Sequence, residues 1–202
     1  MVFKKILSLL VLINSIAAFS QPNKPTDITD ITKATFFAPG ISYEKRVGKF
    51  QSLVGQAFLA TAFAFSYSSS FGSNFYYSID PALSLQYRYY YNKNKRVAKG
   101  KRTEKNSLNY VSAMTETSYS KNSISSSYLT EDDRRPLYSF GIAWGFQRNY
   151  PKHFSLDLNI GGGYIYASST TPDYLGQPIK VNAGRFTTIS GLTLGFWLNK
   201  KK

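Results

Sequence analysis

His153 and Ser155 are the one pair in this 202-residue chain whose types and spacing suit a nucleophile and its base. Positions i and i+2 of a strand share a face, so the imidazole could take the seryl proton, provided a third group orients the ring. Other reactive chemistry is scarce. The chain has no cysteine and a single histidine, which excludes thiol chemistry and leaves no Cys- or His-cluster metal site. No cofactor is called for.

A larger polar set falls on strand faces otherwise built from Gly, Ala and Ser: Glu44, Arg46, Gln56, Gln86, Arg88, Gln147, Asp157 and Asn159. If the strands close into an eight-stranded barrel, these side chains point into an interior just wide enough to be filled by them. Buried charges must pair there, because an unpaired one costs several kcal/mol. The expected role is a hydrogen-bonded plug; the sharper alternative is a gated narrow pore or proton path through the same groups.

The elements that must position these residues are strands. Large and small side chains alternate with period two, the signature of a half-buried strand. Phe154, Leu156, Leu158, Ile160, Tyr164 and Tyr166 oppose Ser155, Asp157, Asn159, Gly161 and Gly163. Tyr138 to Phe146, Leu83 to Tyr91 and Leu192 to Leu198 behave alike. The pattern predicts strands at 29–37, 40–48, 51–68, 75–92, 107–119, 137–149, 154–168 and 184–199. A soluble sandwich would place charges on its outer face, whereas here the polar faces are small and mostly uncharged. A membrane barrel, apolar outside and polar inside, fits better.

Export supports that reading. Lys4 and Lys5 precede an apolar run from Ile6 to Phe19, and Ala18-Phe19-Ser20 offers a small-residue cleavage site. This is the layout of a secretory signal peptide, and the run is shorter than the roughly 20 residues a spanning helix needs. The predicted organisation is a signal peptide at 1–20, a short periplasmic segment at 21–28 and an outer-membrane β-barrel at 29–202. The segments 69–74, 120–136 and 169–183 become external loops. The 16 Tyr and 15 Phe sort onto two levels. Tyr89, Tyr91, Tyr110, Phe146, Phe154, Phe196 and Trp197 lie toward the periplasm; Phe65, Tyr67, Phe75, Tyr77, Tyr138, Tyr166 and Phe186 lie toward the outside. Such girdles border an apolar band.

One periplasmic connection is unusual. Lys93, Lys95, Arg96, Lys99, Lys101, Arg102 and Lys105 stand against Glu104 alone, in a chain with 25 basic and 11 acidic residues. Export argues against nucleic acid as the partner. The expected role is a solvated basic rim near anionic headgroups, or a dock for an acidic periplasmic partner or the cell wall.

Pro39-Gly-Ile-Ser-Tyr-Glu-Lys-Arg46 and Tyr87-Arg-Tyr-Tyr-Tyr-Asn92, with Asn109-Tyr110 beyond, resemble signatures of small, eight-stranded outer-membrane barrel families common in Bacteroidetes. The resemblance implies a location and no established activity. Gly191, Leu194 and Phe196 resemble the terminal signal read by the barrel-assembly machinery, except that Ile189 replaces a polar residue and Leu198 to Lys202 follow the last aromatic. The His153/Ser155 pair resembles that of outer-membrane lipid A deacylases. His153 nevertheless falls in a predicted turn on the wrong side for lipid A, so catalysis is not expected. The reading is therefore an all-β, eight-stranded, antiparallel up-and-down transmembrane barrel with a filled interior and a structural or interaction role, in contact with outer-membrane lipid. The alternatives are a lipid-modifying enzyme of that deacylase kind and a secreted lipocalin-like carrier of a small apolar ligand.

Overall fold

A computed structural model describes residues 28–68, 72–124 and 130–199. The expected signal peptide, residues 21–27 and Lys200 to Lys202 lie outside these. The strands are β1 (Ile31–Phe37), β2 (Gly40–Arg46), β3 (Gln51–Ser68), β4 (Gly72–Tyr89), β5 (Asn109–Asn122), β6 (Thr130–Asn149), β7 (Phe154–Pro172) and β8 (Pro178–Trp197). Each pairs antiparallel with the next, and β1 pairs with β8, so one up-and-down sheet closes on itself as a barrel. Between β4 and β5 lie a short helix, α1 (Lys93–Ala98), and a 3-10 turn at Glu104–Asn106.

Closure depends on β1, which with β2 is one of the two shortest strands. Lys33 pairs with Trp197 and Thr35 with Gly195, then a bulge lets Phe37 meet Leu194. Asn199 clamps this seam by accepting the Thr32 N–H at 2.8 Å and donating to Asp30 O at 3.1 Å. Buried and exposed residues alternate along β1 and β2 as the sequence pattern requires.

Two connections expected as loops are largely strand. β5 and β6 reach Asn122 and Thr130, and β7 and β8 continue to Pro172 and Pro178. The apolar alternation stops near Tyr166, but the ladder runs on through Ser168↔Asn182 and Thr170↔Lys180. Ser and Thr can carry ladder hydrogen bonds as apolar residues do, and it was composition alone that marked these stretches as loop. The rim is also uneven. β1 and β2 have 7 residues each whereas β8 has 20, so β2 covers β3 only as far as Phe58 and β1 covers β8 only as far as Leu194. The wall is notched above the turn at Ala38 and Pro39.

Glycines set how closely β6, β7 and β8 pack. Gly141 faces Gly163 and Ala143 faces Gly161 across the β6–β7 ladder, and Ile189 of β8 lies over the first pair, its Cδ1 2.7 Å from where a Gly141 Cβ would be. A Cβ on Gly161 would stand 2.6 Å from Ala143 Cα and closer still to Ile142 O, whereas one on Gly162 meets nothing within 4 Å. Gly161→Ala is therefore expected to cost about 2–3 kcal/mol by overpacking a backbone that cannot retreat. Gly162→Ala should stay within about 0.5 kcal/mol. Urea unfolding of the two neighbours side by side checks this; equal losses would mean the wall is not close-packed there.

Candidate functional site

The inward faces meet in a charged network toward the end of the ring that carries Ile28 and Asn199, the first and last described residues. Lys33 (β1), Glu44 (β2), Arg88 (β4), Gln147 (β6) and Asp157 (β7) are all buried. Arg88 Nη1 donates to Asp157 Oδ2 at 2.6 Å and to Gln147 Oε1 at 2.9 Å. Its Nε and Nη2 donate to Gln86 Oε1 at 3.0 and 2.8 Å. Lys33 Nζ donates to Gln147 Oε1 at 2.5 Å and stands 3.7 Å from Asp157. Gln147 Nε2 returns to Glu44 Oε2 at 3.1 Å. Two cations and two carboxylates thus share one hydrogen-bonded cluster, and their charges cancel.

Two tyrosines complete it. Tyr90 donates to Glu44 Oε1 at 2.7 Å and Tyr110 to Asp157 Oδ1 at 2.7 Å, while the Arg88 guanidinium lies 4.1 Å from the Tyr110 ring centroid. Tyr110 can lie here because Gly145 faces it across the ladder. A Cβ at Gly145 would come within 2.6 Å of the Tyr110 hydroxyl.

The end of the ring is then closed by the segment that follows β4. Its basic residues were expected to be a solvated rim, but the backbone turns back into the mouth. Lys105 and Asn106 both adopt positive φ, at 52° and 58°. This reversal sends the Asn106 amide inward, where Nδ2 donates to Glu44 Oε1 and Thr29 O at 2.8 Å and Oδ1 accepts the Thr29 N–H at 2.9 Å. Leu108 packs with Ile28, Tyr90 and Tyr110 in a buried cluster. Of the seven basic side chains, Lys95, Lys99 and Lys101 are exposed, Arg96, Arg102 and Lys105 are half-buried, and Lys93 is buried. Arg96 caps Arg102 O through Nε and Nη2 at 3.2 and 2.9 Å, and Lys105 Nζ lies 5.0 Å from the Trp197 ring.

Beside this plug, burial raises the Asp30 carboxyl, but Lys45 Nζ and the Arg46 N–H, both at 2.8 Å, outweigh it and hold the group below its usual range.

The remaining expected residues divide. Arg46 is half-buried at this end, its Nε donating to Gly48 O at 3.2 Å. Gln56, Gln86 and Asn159 line a cavity of about 380 Å³ on the other side of the network. The network fills one end of the interior, Ile124, Leu137 and Ala167 pack as a buried apolar cluster toward the other, and the cavity between them interrupts the filled interior that was expected.

His153 does not pair with Ser155. It adopts a positive φ of 67°, stacks on Trp197 at 3.9 Å between ring centroids, and its Nδ1 lies 2.8 Å from Trp197 O. Ser155 is buried, and no hydrogen bond joins the two among the described residues. Trp197 and Tyr110, expected in an aromatic girdle, are both buried and face inward. The side chains of Phe65, Tyr67 and Phe75 lie outside the described part. Among the residues missed is Lys33, whose signal was its alternation with Ala34 and Phe36 on β1.

Comparison with family models, curated proteins and solved structures finds no match to this chain.

Proposed function

We propose that this chain is an outer-membrane β-barrel of the small Bacteroidetes type, sealed at its periplasmic end, with a structural or interaction role and no catalysis. The observation that carries the reading is the inverted polarity of the ring. Ile142, Phe140, Leu83, Ile160 and Phe186 are between 54% and 86% exposed on the outer face, while Lys33, Glu44, Arg88 and Asp157 are between 1% and 7% exposed inside. Water rarely tolerates contiguous apolar patches beyond a few hundred Å², whereas hydrocarbon favours such a surface on a closed sheet.

In this reading the end bearing Ile28 and Asn199 faces the periplasm, and outer-membrane lipid surrounds the wall. The barrel-assembly machinery serves the chain during biogenesis. Lys95, Lys99 and Lys101 then offer an exposed basic surface to an acidic periplasmic partner or the cell wall. A lipocalin-like carrier would need large apolar side chains pointing inward, and a deacylase-like enzyme would need His153 joined to Ser155.

The mature chain is expected to fractionate with outer membrane, to migrate on gels in a heat-modifiable way, and to show no steady conductance in planar bilayers. Recovery as a monodisperse protein without detergent would overturn the membrane location. Stable channels would overturn the seal.

A further inference from the structure

The cavity above the charged network has a chemistry of its own. Among its lining residues are two carboxylates, Asp80 and Glu116, and no Lys, Arg or His, although the chain carries a net charge of +14. Asp80 is already paired with Arg134, Nη1 to Oδ1 at 2.6 Å. Glu116, which faces Ser84 and Ser139 across its two ladders, has no hydrogen-bond or ion-pair partner among the described residues. Beside it Asn159 lines the same cavity and is 9% exposed, and its buried Oδ1 accepts no hydrogen bond. Seryl oxygens of Ser84, Ser118 and Ser120 surround the space. Below it the network is neutral, so Arg88 and Lys33 do not supply the missing charge.

We propose that this cavity binds a primary ammonium group, held by the Glu116 carboxylate, with the serine hydroxyls as further acceptors. An ammonium carries three donors and no acceptor, which matches a lining rich in oxygen and lacking any cation. At about 380 Å³ the space lies within the usual range of small-molecule sites, roughly 300–1,000 Å³. A metal ion fits less well, since no group of three ligating side chains occurs among the described residues. The cavity reaches Phe37, Ala38 and Thr61 below the notch over the β1–β2 turn, so an ammonium could enter as a free amine or on the headgroup of an aminolipid.

The test uses the full mature chain, ¹⁵N-labelled, in a non-ionic detergent without amine groups, or in buffer if it proves soluble. Ethylammonium chloride is titrated against ethanol and sodium chloride as controls. The expected result is saturable shifts at the amides of Glu116, Ser118 and Asn159, absent with both controls. Glu116→Gln keeps the fold, since it removes an unpaired charge, and weakens binding about tenfold or more. Should that variant fail to fold, the wild-type titration still decides the matter. Repeating the spectra in nanodiscs of phosphatidylethanolamine and of phosphatidylcholine separates the sources. The same shifts without added amine, in phosphatidylethanolamine alone, identify the lipid headgroup; shifts only on adding ethylammonium identify a free amine. No saturable shift in either setting, equal response to sodium, or equal affinity in Glu116→Gln would overturn the proposal.

Discussion

Arg88→Met is expected to lower the unfolding free energy by about 3–5 kcal/mol, the usual loss when one partner of a buried ion pair is removed. Arg88 is 3% exposed and holds Asp157, Gln147 and Gln86 together. Its loss leaves the inward carboxylates of Glu44 and Asp157 with Lys33 as the one remaining cation of the cluster. Asp157→Leu should cost a similar amount by the opposite imbalance, stranding Arg88 and Lys33 with Glu44 alone. The double variant removes one charge of each sign. Lys33 and Glu44 then remain joined through Gln147, which accepts from the first at 2.5 Å and donates to the second at 3.1 Å. The double variant should therefore lose less than the sum of the single losses, with a coupling of about 1–3 kcal/mol. Equilibrium urea unfolding in detergent micelles, followed by tryptophan fluorescence, closes this cycle. Strictly additive losses would show that the four charges do not act as one network.

Much of the ring was readable because strand alternation is a local property. β3 spans 51–68 in both the sequence pattern and the structure, and the starts of β2 and β7 at Gly40 and Phe154 also coincide. The register follows from the same alternation, since a slip of one residue would exchange the faces of a whole strand. The far ends of β5 to β8 were not readable. There Ser, Thr and charged residues carry most of the ladder, with Ile179 and Val181 among the exceptions on β8, and period two loses its contrast. The fold between β4 and β5 was hidden for a different reason. Seven basic residues dominate the composition of that stretch, whereas its placement is decided by Asn106, Ser107 and Leu108, which are at most 2% exposed.

The site was legible as a set of faces but not as a set of contacts. Glu44, Gln86, Arg88, Gln147, Asp157 and Asn159 were all assigned inward by parity, which is sufficient to collect them. Parity cannot tell that Gln56 and Asn159 sit beside empty space while Gln147 joins three charged groups. That distinction depends on strand tilt and stagger around the ring, which are non-local. Tyr110 and Trp197 misled for a related reason. A tyrosine or tryptophan near a strand end reads as an interfacial aromatic, but Gly145 opens room for the first ring and His153 offers a stacking partner to the second. Both helpers are distant in sequence. Glu116 carried no motif at all, and its interest comes from the lack of a partner.

Asn106→Leu is expected to cost about 3 kcal/mol, because it leaves several buried polar groups without partners at once. The wild-type amide satisfies Glu44 Oε1, Thr29 O and the Thr29 N–H. Its positive φ of 58° is a conformation that Asn tolerates and a leucine disfavours, so the backbone reversal that aims the segment inward weakens too. The basic side chains next to it should behave differently. Charge reversal of Lys95, Lys99 and Lys101, all exposed, should change stability by no more than about 0.5 kcal/mol, while altering any salt-dependent contact with an acidic partner. Limited trypsin digestion supplies the second readout, since release of the plug should speed cleavage between Lys93 and Lys105 in Asn106→Leu at protein concentrations where the wild type resists. If the triple reversal unfolds the chain and Asn106→Leu does not, the segment is held by its charges. If the result is as expected, one amide anchors the segment and the lysines are left free for a surface role.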